Sequence, residues 1–188
     1  MTDVADPPLT PAAERLLAAA STLFYAHGIR AVGVDAIAEA AGTTKKTLYD
    51  RFGSKDALVA LYLERRARHW QRFLEEEIAT HAPGGERVLA VFDAARRWQD
   101  GQARGCAFVN AYAEVGGTDH PALPVIRAEK EWMRTRLTQL VADAGIPHPE
   151  SVGATVHLLY EGALVATTAG DDPEALTTAR KAAAGLVG

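Results

Sequence analysis

The chain has 188 residues, 48% of them hydrophobic and 23% charged, a composition that excludes a disordered or fibrous protein. Its net charge of −4 at pH 7 argues against indiscriminate binding to nucleic acids. That average conceals a basic segment, because residues 43–68 hold seven lysines and arginines and only three acids. The charge pattern predicts one basic surface on an otherwise acidic protein.

No segment has the features of export or of membrane insertion. The N-terminus, MTDVADPPLT, lacks the basic and apolar regions of a signal peptide, and no apolar run is long enough to cross a bilayer. The single cysteine, Cys106, cannot form an intramolecular disulfide, which favours a reducing compartment. We therefore expect a cytoplasmic protein. We expect Cys106 to be a small buried hydrophobic residue rather than a redox sensor.

Apolar residues recur at helical spacing along nearly the whole chain, and no alternating strand pattern is found. After a tail rich in Asp and Pro that we expect to be disordered, Thr10 and Pro11 predict the start of the first helix and Gly28 its end. The second helix is expected from Val34 to Ala41, with Gly42 after it. This spacing predicts an all-α fold of about nine helices, with a compact N-terminal trio before a larger helical body.

The third predicted helix starts after Thr44, which we expect to be its N-cap, and places Leu48 and Phe52 on one apolar face. Ser54 predicts the N-cap of a fourth and longer helix that ends at about Ile78. Clusters of Gly and Pro divide the rest of the chain into five further helices. These are expected at residues 87–99, 104–115, 121–144, 149–169 and 173–187.

The second and third helices, joined by a tight turn that contains glycine, are typical of a helix-turn-helix motif at about residues 33–52. The helix start attracts phosphate, lysines in the first turn can meet base edges, and hydroxyl groups can contact bases. The alternative is the ordinary solvated face of an amphipathic helix. The residues that we expect to bind DNA are Thr43, Thr44, Lys45, Lys46, Thr47, Tyr49 and Lys55.

The segment LLAAASTLFYAHGIRAVGVDAIAEAAGTTKKTLYDRFGSKDALVALY resembles the N-terminal part of the TetR family of transcriptional regulators. The resemblance covers about residues 10–70 and implies a DNA-binding domain there. It also implies a helical regulatory and dimerisation domain at residues 71–188, which usually binds a small molecule. By position in the motif, Thr44, Thr47, Tyr49 and Lys55 match residues that typically hold phosphates, whereas Thr43, Lys45 and Lys46 match positions that vary with the operator.

Three positions depart from the family pattern. Gly33 stands where a Ser or Thr commonly caps the second helix, so one possible phosphate contact is lost. Lys46 replaces a frequent glycine. A lysine disfavours the close approach of the backbone to DNA, but its longer cationic side chain can reach further. Asp50 places a negative charge near the expected contact face.

The body offers candidates for an effector pocket and for a dimer interface. Its aromatic residues can line an apolar pocket between helices, although each alone is more typical of ordinary core. These are Phe92, Trp98, Phe108, Tyr112, Trp132 and Tyr160. Stripes on the last two helices can form a four-helix interface with a second copy, or can pack within one chain. These are Val152, Val156, Leu159, Ala163, Leu176, Ala179, Ala183 and Leu186.

The sequence thus predicts a transcriptional regulator, a repressor by family habit, that binds a palindromic double-stranded operator as a homodimer and is released by a small-molecule effector. A helical small-molecule-binding protein without DNA binding is the alternative. A helical enzyme is a second one, but the six histidines lack H-E-x-x-H spacing and there is no C-x-x-C motif. Ser151 in PESVG lacks the first glycine of a nucleophile elbow. We therefore expect no catalytic residue, metal, cofactor or membrane partner.

Overall fold

The computed structural model describes residues 9–101 and 104–188, and within these ranges it contains nine α-helices and no strand. The all-α prediction is confirmed, while most of the predicted N-terminal tail lies outside the described residues. None of the described helices has the length and apolarity needed to cross a membrane. The helices are α1 (Pro11–His27), α2 (Val34–Ala40), α3 (Lys45–Phe52), α4 (Lys55–Ala79), α5 (Gly85–Gln99), α6 (Ala107–Val115), α7 (Ala122–Asp143), α8 (Pro149–Thr168) and α9 (Ala175–Val187).

Local side-chain chemistry explains the starts of α1, α3 and α4. The hydroxyl of Thr10 accepts a hydrogen bond from the amide of Ala13 at 3.4 Å, and Ser54 accepts one from Ala57 at 3.0 Å. Thr44 caps α3 in the same manner. These three N-caps are the ones that the sequence predicts. The start of α6 differs from the prediction, because Gly105 has a φ of +63° and therefore interrupts the helix before Ala107.

The described residues divide into two compact units, and the first contains residues 9–65 and 108–125. Within it, α1, α2 and α3 pack against one another. Their shared core is built from buried side chains at helical spacing, as the sequence pattern predicts. These include Leu16, Leu17, Phe24, Ile37 and Leu48.

Helix α6 belongs to this first unit and is tied to the turn after α1. The carboxylate of Glu114 accepts hydrogen bonds from the backbone amides of Ile29 at 2.9 Å and Arg30 at 2.7 Å. Gly28 has a φ of +91°, and a Cβ at this position would lie 2.9 Å from Oε1 of Glu114. Glycine is therefore required here both for the backbone conformation and for the approach of the carboxylate.

Replacing Glu114 by alanine is expected to lower the free energy of unfolding by about 2–3 kcal/mol, because two amides lose a charged acceptor. Glu114→Gln is the matched variant and should lose about half as much, since its carbonyl oxygen still accepts one bond. Chemical denaturation of both variants measures the difference. Equal stability of Glu114→Ala and the parent chain would show that water replaces the carboxylate without cost.

The second unit contains residues 66–107 and 126–188, and its core joins α5, α7, α8 and α9 with the later part of α4. Helix α9 packs against both α5 and α8. Phe92, Leu74 and Met133 are among the largest fully buried side chains, and the indole of Trp70 donates to Sδ of Met133 at 3.2 Å.

Candidate nucleic-acid interface

Helix α3 has one buried side and one exposed polar side. Leu48 is completely buried, whereas Tyr49 beside it is 43% exposed. The side chains of Lys45 and Lys46 are 50% and 84% exposed. The structure therefore brings the predicted contact residues of the first turn to the surface.

The hydroxyl groups at the start of α3 order this surface. Oγ1 of Thr44 accepts from the amide of Thr47 at 3.2 Å and lies 2.9 Å from the Thr47 hydroxyl. The remaining first-turn amides of a helix lack intrahelical partners, and the helix dipole is positive at this end. The start of α3 is thus suited to an anionic oxygen such as a DNA phosphate.

Both first-turn lysines are paired with carboxylates on the same surface. Nζ of Lys45 lies 3.2 Å from Asp35 on α2, and Nζ of Lys46 lies 2.6 Å from Asp50. Exposed pairs of this kind contribute about 0–1 kcal/mol, so exchange of either carboxylate for a phosphate or a base edge costs little. The role of Asp35 was not predicted, because no helical spacing links residues ten positions apart.

Thr43 and Lys55 lie at the edges of this surface and are partly buried. The amide of Thr43 donates to the carbonyl oxygen of Ala38 at 2.9 Å, which closes the turn after α2. Nζ of Lys55 lies 5.9 Å from the centre of the Phe24 ring, a cation–π distance. These contacts fix the positions of both residues relative to the core of the first unit.

Arg15 is a supporting residue that sequence reasoning missed. Its Nε donates to the carbonyl oxygen of Ala41 at 3.2 Å, so α1 holds the C-terminal end of α2. Gly33, in contrast, precedes α2 without a side-chain cap, as the sequence predicts. The orientation of the motif therefore depends on α1 rather than on a second N-cap.

The six aromatic residues predicted to line one pocket are divided between the two units. Phe108 is buried and Tyr112 is exposed in the first unit. In the second unit, the rings of Phe92 and Tyr160 meet edge to face with their centres 6.4 Å apart. Trp98 instead packs against other aromatic rings, and Trp132 is partly buried beside the core.

A small cavity adjoins only one of these aromatic residues. It has a volume of about 260 Å³ and is lined in part by Phe92, Asp93 and Arg180. Nε of Arg180 donates to Asp93 at 2.9 Å, so the wall of the cavity carries a satisfied ion pair. Of the six aromatic residues predicted to line a pocket, only Phe92 therefore lines this cavity.

The predicted dimer stripes on α8 and α9 lie mostly inside the second unit. Val156, Ala163, Leu176, Ala179 and Ala183 are all buried in its core. Burial in this core is the second of the two arrangements that the sequence allows for the stripes, packing within one chain. Of the other three predicted residues, Val152 and Leu159 are partly buried, and Leu186 is 38% exposed.

A second apolar stripe on α8 faces outward. Leu158 is 72% exposed and Val165 is 45% exposed, and Gly162 lies between them at helical spacing. Gly185 on α9 is also exposed, and a Cβ at either glycine would meet no atom within 4 Å. The sequence shows apolar residues on two sides of α8. Periodicity alone does not say which of the two sides faces the core.

The chain is similar to known transcriptional regulators. Residues 16–62 match the family "Bacterial regulatory proteins, tetR family". A crystal structure of a TetR-family transcriptional regulator from Streptomyces coelicolor has a TM-score of 0.86 and 31% sequence identity to this chain, and the match covers 94% of this chain and 88% of that one. An HTH-type transcriptional regulator of Mycobacterium tuberculosis is 34% identical over 107 residues, which are 56% of this chain and 53% of that protein.

A third relative, the HTH-type transcriptional activator FasR of Mycolicibacterium smegmatis, is 34% identical over 80 residues, 43% of this chain and 36% of that protein. The chain thus spans about half the length, or less, of the curated relatives that it matches.

The fold and the exposed cationic face of α3 define a helix-turn-helix, DNA-binding transcriptional regulator. The chain belongs to the TetR family of transcriptional regulators. The enzyme alternative is thereby excluded, because the relatives and the fold are those of regulators.

Proposed function

We propose that the chain is a ligand-responsive repressor that binds a palindromic DNA operator as a homodimer. Residues 10–70 form its DNA-binding domain and residues 71–188 its regulatory and dimerisation domain. The observation that carries this proposal is the first turn of α3, where Lys45 and Lys46 project from a helix that Leu48 anchors in the core. The family match, which covers residues 16–62, supports this proposal because it includes the same turn.

In the proposed complex, α3 enters the major groove with its N-terminal turn first. Lys45, Lys46 and Thr43 read base edges, while Thr44, Thr47, Tyr49 and Lys55 hold phosphates. Two copies of α3, about 34 Å apart, read successive turns of the groove, which is why the operator is expected to be palindromic. Several phosphate contacts in each protomer make the affinity fall steeply with salt.

The outward stripe of α8 and α9 supports the proposed homodimer. A glycine inside a helix costs about 1 kcal/mol relative to alanine, and nothing in one chain requires a glycine at position 162 or 185. Close approach of a helix from a second copy explains both glycines, because it leaves no room for a Cβ. Leu158, Val165 and Leu186 then become the apolar contacts of an isologous interface.

Modest coupling between an effector site and the operator is sufficient for release. Allosteric coupling is typically about 1–3 kcal/mol, whereas specific sites are favoured over non-specific DNA by about 4–10 kcal/mol. A coupling of this size therefore releases the protein when the occupancy of the operator without effector is close to half. Expression levels in the cell would set that balance.

Selection of bound duplexes from a random DNA library tests the DNA-binding part of the proposal. We expect palindromes with half-sites about one helical turn apart, and an affinity that falls by about 10³-fold or more between 50 and 200 mM salt. Undetectable or salt-insensitive binding would favour the alternative, a small-molecule-binding protein without DNA binding.

A reporter gene under the selected operator tests the direction of regulation. Repression is expected when the chain is present. Increased expression would instead assign the activating role that the name of the FasR relative carries.

A further inference from the structure

The second unit holds a charged cluster on α7 and α8 that DNA binding does not use. Glu129 is only 4% exposed, although it is a carboxylate. Nζ of Lys130 lies 3.3 Å from Oε2 of Glu129 and donates to Oε1 of Glu161 at 3.0 Å. Nε2 of His157 lies 3.5 Å from the same oxygen of Glu161. The Glu129 cluster, as we name these four residues, is thus buried at one end and partly exposed at the other.

Two atoms of the Glu129 cluster are buried without a hydrogen bond. Among the described residues, neither Oε2 of Glu129 nor Nε2 of His157 makes a hydrogen bond of normal geometry, although Nζ of Lys130 lies 3.3 Å from the first and Oε1 of Glu161 lies 3.5 Å from the second. Lys130 cannot satisfy Glu129 fully, because its ammonium group is shared with Glu161 and with the thiol of Cys106 at 3.6 Å. A buried carboxylate oxygen that lacks a donor is costly, so its retention calls for a functional reason.

Cys106 is partly buried and packs against the apolar core, whereas the sequence predicts a buried residue. Its sulfur also lies 3.6 Å from Nζ of Lys130.

The Glu129 cluster carries an excess of negative charge. Burial raises the pKa of Glu129. The attraction of the neighbouring Lys130 ammonium lowers this pKa by a smaller amount. Burial lowers the pKa of Lys130, but Cys106, Glu129 and Glu161 outweigh it, so the pKa is raised and the lysine stays charged. For Glu161, burial raises the pKa, while His157 and Lys130 together lower it below the usual value. With His157 counted as neutral, two carboxylates therefore face one ammonium group, and one positive charge is missing.

This balance discriminates between classes of ligand. An anionic ligand would meet two carboxylates, and Lys130 is already engaged by both of them. A neutral hydroxyl or amide could donate to Glu129 but would leave the excess charge in place. A monocation with N–H groups supplies both the missing donor and the missing charge.

We propose that the Glu129 cluster binds the ammonium group of a small organic amine, which is the effector of the regulator. The ammonium group donates to Glu129 and Glu161, and the less buried side chains of Lys130, Glu161 and His157 lie on the accessible side. The inference rests on the proposed function, since it names the chemical class of the effector and not a separate activity.

The test compares 2-phenylethylamine with its neutral analogue 2-phenylethanol and with the anion phenylacetate, each at up to about 10 mM, where millimolar binding is detectable. We expect the amine alone to raise the melting temperature, by about 5 °C or more at a 100-fold excess over Kd. Calorimetric titration should show that Glu129→Gln weakens amine binding by about 10- to 100-fold. Glu131→Gln, the same change at an exposed residue of α7, should leave the affinity unchanged.

Stability without any amine provides a second readout. Glu129→Gln should melt at the same temperature as the parent chain or above it, because the substitution removes an uncompensated buried charge. A melting temperature several degrees lower would show that Glu129 is held for the fold and would overturn the inference. Equal stabilisation by the amine and the alcohol, or no stabilisation by the amine, would overturn it as well.

Operator binding separates this inference from the proposed function. The parent chain and Glu129→Gln should bind the selected operator equally, and the amine should release only the parent chain. Failure of the parent chain to bind any operator would refute the proposed function, while the amine titrations still decide the inference. Operator binding by the parent chain that the amine does not change would refute the role of the Glu129 cluster as an effector site.

Discussion

Replacing Leu158 by glutamate is expected to convert the proposed dimer into monomers and to weaken operator binding by about 10²- to 10⁴-fold. The loss is large because a joined pair of recognition helices makes its second contact with DNA at a high effective concentration, which separate protomers do not have. Leu158 is 72% exposed in one chain, so the change costs a single chain little. Two copies would instead bury two carboxylates against apolar helices.

Light scattering on a sizing column measures the mass of the Leu158→Glu variant, and fluorescence anisotropy measures its affinity for the operator. Ala128→Glu is the matched control, because it places the same charge at an exposed position on α7. The control should remain dimeric and bind the operator as the parent chain does. A dimeric Leu158→Glu variant with unchanged affinity would contradict the proposed interface on α8 and α9.

Removing both first-turn lysines with Lys45→Ala and Lys46→Ala is expected to weaken operator binding by on the order of 10³-fold. A dimer loses four cations, and each contact with DNA contributes about 1 kcal/mol or more. The slope of log affinity against log salt should also become shallower by about 0.9 for each phosphate contact that is lost. Folding should be little affected, since both side chains are exposed and their ion pairs with Asp35 and Asp50 are weak.

Anisotropy titrations between 50 and 200 mM salt measure both effects. The control variant removes two exposed cations from α7, through Arg127→Ala and Arg134→Ala, and therefore has the same net charge. Its affinity and salt slope should stay close to those of the parent chain. Equal losses in the two variants would mean that net charge, and not α3, determines binding to DNA.

Much of the fold was predictable because helix boundaries depend on neighbouring residues. Thr10, Thr44 and Ser54 cap helices through side chains that reach an amide three positions on, and Gly28 ends α1. The exposed and buried sides of α3 follow from the same local pattern. Local chemistry thus accounts for the DNA-binding face without any knowledge of distant contacts.

Long-range partners were not predictable from one sequence. Glu114 contacts amides that lie 84 and 85 positions earlier in the chain, and Lys130 contacts Glu161 from another helix. The two apolar sides of α8 show the same limit, because the stripe around Val156 and the stripe around Leu158 have the same period. Only tertiary packing decides which of them becomes core.

The bonds between Glu114 and the turn after α1 have a consequence for exchanging DNA specificity between regulators. Residues 108–125 belong to the same compact unit as α1, α2 and α3. A cut after residue 70 therefore separates the turn at residues 28–30 from the Glu114 carboxylate that binds its amides. A hybrid joined at that point would rely on the host's own α6 to supply an acceptor of the same length. Transferring residues 108–125 together with residues 10–70 keeps the hydrogen bonds between Glu114 and this turn.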